Sequence, residues 1–307
     1  MTRVAAVDLG TNTTRLLVAD VNGESLRAVE RRERITGLGE GVDRRRRLLP
    51  VAVARVRNCL VAYRQTAERL GAERVLAVAT SAVRDAENGE AFLGEVEWSY
   101  GFATRLLDGD AEALLTFRGV AAGREIDEGT LVVDIGGGST ELIVGGPGGA
   151  DSHRSLDVGS VRLTERFGED VETIGAHVRA ALPALEVTGA IGVAGTIANL
   201  AVLGLGATEH DPERVHGHRL PLATVSAQLE RLRLLPLEER RRVPGLEPDR
   251  AAVIVAGAVI LREVLRRYGL DEIEVSVHDL LDGAALVAAE LPEVEEGAAP
   301  PGAFTCC

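Results

Sequence analysis

The sequence predicts an α/β protein with two domains built on a duplicated unit. Three observations carry this prediction: a length of 307 residues, an internal repeat, and short apolar runs that alternate with helical patterns. At about 150 residues per domain, this length corresponds to two domains. Strands that alternate with helices are typical of layered α/β folds.

The internal repeat is a strand, a glycine-containing turn and a second strand. Residues 8–18 read Asp-Leu-Gly-Thr-Asn-Thr-Thr-Arg-Leu-Leu-Val, and 126 positions later residues 134–144 read Asp-Ile-Gly-Gly-Gly-Ser-Thr-Glu-Leu-Ile-Val. Each copy follows one short apolar run and precedes another, which predicts a tight turn between two strands. The repeat places the domains at residues 1–124 and 125–291. Residues 292–307, rich in Glu, Pro, Ala and Gly, are expected to form a disordered tail.

The other elements follow from hydrophobic periodicity. Apolar residues from Val53 to Leu70 recur every three or four positions, which predicts a helix that Gly71 ends. The same reasoning predicts strands at 74–83, 102–107, 190–194 and 272–277, and helices at 110–118, 173–186, 196–203, 223–235, 249–267 and 280–290.

Composition excludes several classes of function. All 34 basic residues are arginine, so mechanisms that need a lysine, such as a P-loop or a pyridoxal-phosphate Schiff base, are excluded. The net charge of −13 argues against binding to nucleic acid or to a membrane surface.

The chain shows neither a cationic, apolar leader nor an apolar run of membrane-spanning length, so we expect a cytoplasmic protein. The three cysteines are too few for a disulfide framework; Cys59 is expected in the core, and the role of Cys306 and Cys307 stays open.

The two turns have the chemistry of a phosphate and metal site. Glycines let successive backbone N–H groups converge on phosphate oxygens, and an aspartate at the end of a strand can hold a hard divalent cation. For either turn alone, a simple β-hairpin is the alternative interpretation. Two such turns in matching contexts favour a protein that holds a phosphate chain.

Five motifs resemble those of the exopolyphosphatase/guanosine pentaphosphate phosphohydrolase (Ppx/GppA) family, within the superfamily of actin, sugar kinases and heat-shock chaperone ATPases. They lie at residues 7–13, 79–85, 108–113, 133–142 and 193–197, in the family's order. The resemblance implies an α/β fold of two duplicated actin-like (ribonuclease H-like) domains flanking an inter-domain cleft. Ala111 departs from the family pattern, which has tandem glutamates where this chain has Ala111 and Glu112.

The resemblance also implies roles for individual residues. Glu112 would be the general base that activates water, and Arg84 would grip phosphate oxygens with its planar guanidinium. Asp134 and Glu141, with Asp8 as a further contributor, would bind Mg²⁺ or Mn²⁺. The expected donors to the terminal phosphate are Gly10, Thr11, Asn12, Thr13, Gly136, Gly137, Gly138, Ser139 and Thr140.

The implied activity is hydrolysis of the terminal phosphoanhydride of inorganic polyphosphate, with release of phosphate. Removal of the 5′ terminal phosphate of guanosine pentaphosphate is the first alternative, because both substrates present the same anhydride end. A phosphotransferase of the sugar-kinase type and a non-catalytic sensor of polyphosphate or the alarmone are the others. A homodimer is compatible with the sequence.

Overall fold

A computed structural model describes residues 1–292, which fold into two compact units. Of the described residues, the first unit contains Met1–Arg124 together with residues 280–292, and the second contains Glu125–Asp279. The boundary after Arg124 falls where the repeat places it. The domain expected at 125–291 differs from the structure, because residues 280–290 belong to the first unit. Of the tail expected at 292–307, all but Pro292 lies outside the described residues.

The first unit is a five-stranded sheet with helices on both faces. Its strands, in the order β3-β2-β1-β4-β5 across the sheet, are β1 Thr2–Leu9, β2 Thr13–Asn22, β3 Ser25–Ile35, β4 Arg74–Ala79 and β5 Ala103–Leu106. Its helices are α1 Val42–Arg45, α2 Pro50–Arg69, α3 Ser81–Arg84, α4 Gly89–Tyr100, α5 Gly109–Ala121 and, after the second unit, α13 Leu280–Glu290. Strand β1 is antiparallel to β2 and parallel to β4.

Helix α13 belongs to the first unit because its apolar residues cover one face of that sheet. Val4 and Ala6 of β1 share a buried cluster with Leu281 and Leu286 of α13 and with residues of α5. Asp282, which is fully buried, accepts a hydrogen bond from Arg31 of β3. Helix α13 therefore fixes the position of α5.

The second unit is a six-stranded sheet in the order β10-β11-β9-β6-β7-β8. Its strands are β6 Thr130–Ile135, β7 Thr140–Gly146, β8 Gly149–Leu156, β9 Gly189–Val193, β10 Arg219–Pro221 and β11 Glu272–Val275. Its helices are α6 Ser160–Phe167, α7 Val171–Ala181, α8 Ala194–Gly204, α9 Pro212–Val215, α10 Leu222–Arg233, α11 Leu237–Arg240 and α12 Ile254–Arg267. Read from β8 to β11, this order repeats that of the first unit from β3 to β5, and β10 is an added edge strand.

The register of the two central hairpins confirms the duplication. Asp8 pairs with Arg15 across β1 and β2, and Asp134 pairs with Glu141 across β6 and β7. Both pairs keep the offset of 126 positions seen in the sequence. The predicted fold class, an α/β protein of two duplicated domains, is confirmed.

Some predicted elements differ in extent. The strand expected at 74–83 ends at Ala79, because the short helix α3, which carries Arg84, begins at Ser81. Strands β3 and β8 and helix α6 were not predicted. Within residues 1–292, no helix combines the length and the apolar character needed to cross a bilayer.

Candidate active site

The two glycine turns have the same backbone geometry. Gly10 N–H donates to the carbonyl of Thr13 at 3.0 Å, and Gly136 N–H donates to the carbonyl of Ser139 at 3.0 Å. A Cβ atom added at Gly10 would lie 3.0 Å from the oxygen of Thr13, which explains the glycine. The aspartate before each turn is buried.

The carbonyl groups of the first turn are held by the loop that follows β3. Gly39 N–H donates to the Thr11 carbonyl at 2.8 Å, and Gly37 N–H donates to the Asn12 carbonyl at 2.9 Å. The Thr11 and Ser81 hydroxyls share a buried hydrogen bond of 2.8 Å, which ties the turn to helix α3. The turn and Arg84 are therefore parts of one hydrogen-bonded structure.

The carbonyl groups of the second turn are held by the start of helix α6. Val161 N–H donates to the Gly137 carbonyl at 2.9 Å, and Arg162 Nε donates to the Gly138 carbonyl at 2.6 Å. Gly159 lies so close that a Cβ atom there would be 2.3 Å from the Gly137 oxygen. Only glycine permits this contact.

The N–H groups of both turns are open to a ligand. Within residues 1–292, no acceptor receives the backbone N–H of Thr11, Asn12, Gly137, Gly138 or Ser139. The side-chain Nδ2 of Asn12 is also buried without a hydrogen-bond partner in this part of the chain. Because buried donors are normally paired, these groups fit an anion.

Glu112 is a buried carboxylate in the first turn of helix α5. Asp108 caps this helix by accepting a hydrogen bond from Ala111 N–H at 2.8 Å. Burial raises the pKa of Glu112 to about 7; the charge and hydrogen bond of Arg84 lower it, and the charge of Asp8 raises it further. Asp8 lies on the same face of β1 as Val4, the face that α5 and α13 cover. At neutral pH Glu112 therefore exists in both protonation states.

Arg84 is the partner of Glu112. Its Nη1 donates to Glu112 Oε2 at 3.0 Å and to the carbonyl of Leu107 at 2.7 Å. Its Nε and Nη2 groups contact no acceptor in residues 1–292, and its side chain is 24% exposed. One edge of the guanidinium positions the carboxylate, and the other edge can take a phosphate.

The aspartates of the two turns have different environments. Arg15 donates to Asp8 Oδ2 from Nε at 2.9 Å and from Nη2 at 2.8 Å, which compensates the charge of Asp8. Asp134 instead faces Glu141, which is 1% exposed and accepts a hydrogen bond from Ser155 at 2.8 Å. Across residues 1–292, no three His, Cys, Asp or Glu side chains form a metal-binding group.

The donor set at Asp134 and Glu141 fits magnesium, which in phosphoryl-transfer sites takes one or two carboxylates and completes its shell with substrate phosphates and water. The open N–H groups of the adjacent turn suit those phosphates. Arg15 contacts Asp8 through Oδ2, and Asp8 stays a predicted further contributor to the metal site.

The structure gathers the predicted residues within each unit. The first unit holds Gly10, Thr11, Asn12, Thr13, Arg84, Glu112 and Asp8, and the second holds Asp134, Gly136, Gly137, Gly138, Ser139, Thr140 and Glu141. The Thr140 hydroxyl, which is fully buried, donates to the carbonyl of Val158.

Sequence reasoning missed Arg15 and Ser81. Arg15 lies opposite Asp8 in the hairpin, so counting residues across the turn would have placed it there. Ser81 carried no comparable signal, because its partner Thr11 is distant in sequence.

Comparisons with known proteins show the family of the chain. The model of the Ppx/GppA phosphatase family matches residues 17–287. The chain is 39% identical to Exopolyphosphatase 2 of Mycobacterium tuberculosis, over 93% of this chain and 98% of that protein. It is 27% identical to the guanosine-5′-triphosphate,3′-diphosphate pyrophosphatase of Pseudoalteromonas translucida, over 94% of this chain and 59% of that protein.

The solved structure of the Aquifex aeolicus Ppx/GppA enzyme superimposes with a TM-score of 0.79 at 32% identity, covering 93% of this chain and 99% of that one. The chain belongs to the Ppx/GppA phosphatase family.

Proposed function

We propose that this protein is an exopolyphosphatase, which hydrolyses the terminal phosphoanhydride of inorganic polyphosphate and releases phosphate. The observation that carries the proposal is Glu112, a buried carboxyl group whose pKa is raised to about 7. Arg84 donates a hydrogen bond to this carboxyl group and keeps two other donor nitrogens, Nε and Nη2, for a ligand. The 39% identity with Exopolyphosphatase 2 supports polyphosphate as the substrate.

Glu112 acts as the general base in this mechanism. A carboxylate with a pKa near neutrality accepts a proton from water far better than an ordinary surface glutamate. The hydrogen bond from Arg84 Nη1 holds Oε2, which leaves Oε1 to orient the attacking water. After attack at the terminal phosphorus, the proton resides on Glu112 and the shortened chain leaves with the electron pair of the broken P–O bond.

Arg84 and the open backbone N–H groups bind the phosphate oxygens. The unused edge of Arg84 presents two donor nitrogens, Nε and Nη2, in the geometry of a bidentate phosphate contact. In the first unit, the amides of Thr11 and Asn12 add neutral donors. In the second unit, the amides of Gly137 and Gly138 offer donors of the same kind. Such fixed donors stabilise the negative charge that develops on the equatorial and leaving oxygens.

Asp134 and Glu141 are the residues that would hold a magnesium or manganese ion. The ion would supply positive charge that neutralises phosphate oxygens. Their buried position beside the second turn supports this assignment.

Guanosine pentaphosphate is the second candidate substrate. The similarity to the Pseudoalteromonas translucida pyrophosphatase supports it, and the chain end to be attacked is the same anhydride. The greater identity with the exopolyphosphatase favours polyphosphate.

Phosphate release from purified protein tests the proposal. Polyphosphates of defined length, guanosine pentaphosphate and ATP are compared with Mg²⁺, with Mn²⁺ and in excess chelator. We expect release from polyphosphate, a requirement for the cation, and loss of activity in Asp134→Asn. Preferential release from guanosine pentaphosphate would favour the second candidate, and release undiminished in chelator would contradict the metal assignment.

A further inference from the structure

Four consecutive arginines form an exposed basic segment in the first unit. Arg44 to Arg47, which we call the arginine loop, are all exposed. Helix α1 ends within the loop, and Arg46 has a positive φ of 53°. The chain turns sharply at this point, so the four side chains are presented from a short length of backbone.

Three of the four positive charges of the arginine loop have no carboxylate partner in the described part of the chain. Within residues 1–292, the guanidinium groups of Arg44, Arg45 and Arg47 take part in no hydrogen bond or ion pair, and Arg46 lies 3.9 Å from Asp85. Exposed arginines elsewhere do find carboxylates, as Arg57 does with Glu95 at 2.5 Å. In a chain with a net charge of −13, these three unpaired arginines form a local positive surface.

The arginine loop is attached to the segment that follows Arg84. Glu87 N–H donates to the Arg46 carbonyl at 2.8 Å, and the Asn88 side chain accepts from Leu48 N–H at 2.8 Å. Asp85, the neighbour of Arg46, directly follows Arg84 in the chain. The arginine loop is therefore hydrogen-bonded to the segment that directly follows Arg84 in the chain.

We propose that the arginine loop is an exosite that binds internal phosphates of the polyphosphate chain whose end is hydrolysed. This inference rests on the proposed function and adds a preference for long chains. Every internal phosphate carries a negative charge, and guanidinium groups on flexible stems can follow such a chain without fixed register. The net charge of −13 favours a thin, flexible polyanion over a nucleic acid, which would bring much more of its surface into contact.

The exosite gives a length dependence that the catalytic residues alone do not. Binding at the loop raises the effective concentration of the chain end at Arg84, so affinity increases with length until the loop is filled. We expect tripolyphosphate to be too short to engage the loop while its end is bound. Exosite contacts therefore change KM for long chains and leave the chemical step unchanged.

The test compares two triple variants with the same change in net charge. In the first, Arg44, Arg45 and Arg47 are each changed to Gln; Arg46 is kept because of its backbone conformation. In the control, three exposed arginines without an ion pair in the described part of the chain, Arg69, Arg231 and Arg242, are changed to Gln. Steady-state kinetics are measured with tripolyphosphate and with long-chain polyphosphate at fixed ionic strength.

We expect the loop variant to raise KM for the long chain about tenfold or more, with tripolyphosphate kinetics and the control variant within about twofold of wild type. The slope of log KM against log salt concentration should decrease by about 2 in the loop variant. This is the decrease expected when three contacts to a single-stranded polyanion are lost. An equal loss for both substrates, or an equal loss in the control, would overturn the exosite.

A binding titration separates this inference from the proposed function. Long-chain polyphosphate, tripolyphosphate and a single-stranded oligonucleotide are titrated into Glu112→Gln protein with and without the loop changes. Weaker binding of the long polyphosphate alone supports the exosite even if wild-type protein releases no phosphate. Tighter binding of the oligonucleotide than of polyphosphate of equal charge would assign the loop to nucleic acid and contradict the proposal.

Discussion

At the scale of single residues, the protonation state of Glu112 results from two opposed effects. Burial favours the neutral acid, whereas the guanidinium of Arg84 favours the carboxylate, and together they leave its pKa at about 7. Arg84 thus has two tasks, since one edge tunes the carboxyl group and the other is open to phosphate. Substitutions at Arg84 can separate these tasks.

Replacing Arg84 by lysine keeps the charge and removes the planar fork. We expect Arg84→Lys to lower kcat/KM by about tenfold or more, because an ammonium group cannot make the bidentate phosphate contact while it holds Glu112. Steady-state kinetics with polyphosphate measures the loss. A lysine variant with the kcat/KM of wild type would refute the assigned contact.

The pH dependence of activity reports the pKa of Glu112. Because the base must be deprotonated, kcat/KM should rise with pH and level off above an apparent pKa of about 7. Arg84→Gln removes the positive charge that lowers this pKa, so its rising limb should move to higher pH, whereas Arg84→Lys should shift it less. A limb that stays in place in the Gln variant would mean that another group controls the profile.

At the scale of elements, each glycine turn depends on the segment packed behind it. The loop after β3 supports the first turn, and the start of α6 supports the second through backbone contacts at Gly159. These contacts fix the carbonyl groups, whereas the N–H groups at the tip of each turn keep no acceptor in the described part of the chain. Each proposed anion site therefore depends on two elements together.

A methyl group at Gly159 should disturb the second turn. In Gly159→Ala, the new Cβ would meet backbone atoms of Gly137 and Gly138 at 2.3 and 2.4 Å, which cannot move aside as a flexible side chain could. We expect KM to rise about tenfold or more and Tm to fall. Gly148→Ala, where nothing lies within 4 Å, is the matched control and should change neither quantity. If both variants behave alike, the close contact is unimportant.

The sequence predicted the central elements well and the edge elements poorly. The repeat at 8–18 and 134–144 has strong apolar flanks, because β1, β2, β6 and β7 are buried in their sheets. Strand β3, with the sequence SLRAVERRERI, lies at a sheet edge and is half exposed, so its arginines resemble a solvated surface. The pairing of Arg84 with Glu112 could not be predicted, since the two are 28 positions apart and no local pattern connects them.

At the scale of the whole molecule, the chain returns from the second unit to the first in helix α13. Helix α13 covers the face of the sheet that also carries Asp8, and it packs against α5, the helix of Glu112. Gly283 permits this approach, because a Cβ there would lie 2.0 Å from the Leu115 carbonyl oxygen. Periodicity predicted the helix at 280–290 but could not tell which sheet it joins, since both sheets offer apolar faces.

Weakening α13 should therefore destabilise the first unit selectively. Leu286 is 1% exposed in the cluster with β1, and Leu286→Ala should cost about 2–5 kcal/mol of stability. Hydrogen exchange followed by mass spectrometry should show lost protection in β1, β2 and β4, with β6 and β9 unchanged. Loss confined to the second unit would instead support the boundary at 291.

The most direct test of Glu112 as the general base is the rate of phosphate release by Glu112→Gln. Glutamine keeps the shape and a hydrogen-bond acceptor for Arg84 but cannot take the proton of the attacking water. General-base catalysis contributes about 10²–10⁴ in rate, so kcat should fall by that factor while polyphosphate binding is retained or tightened.

Asp110→Asn is the matched control, because it removes an exposed carboxylate from the same turn of α5 and should leave kcat within about twofold. Both variants are compared with wild type by steady-state kinetics on polyphosphate and by a binding titration. A folded Glu112→Gln protein that turns over polyphosphate at the wild-type rate would contradict the proposal that Glu112 is the general base.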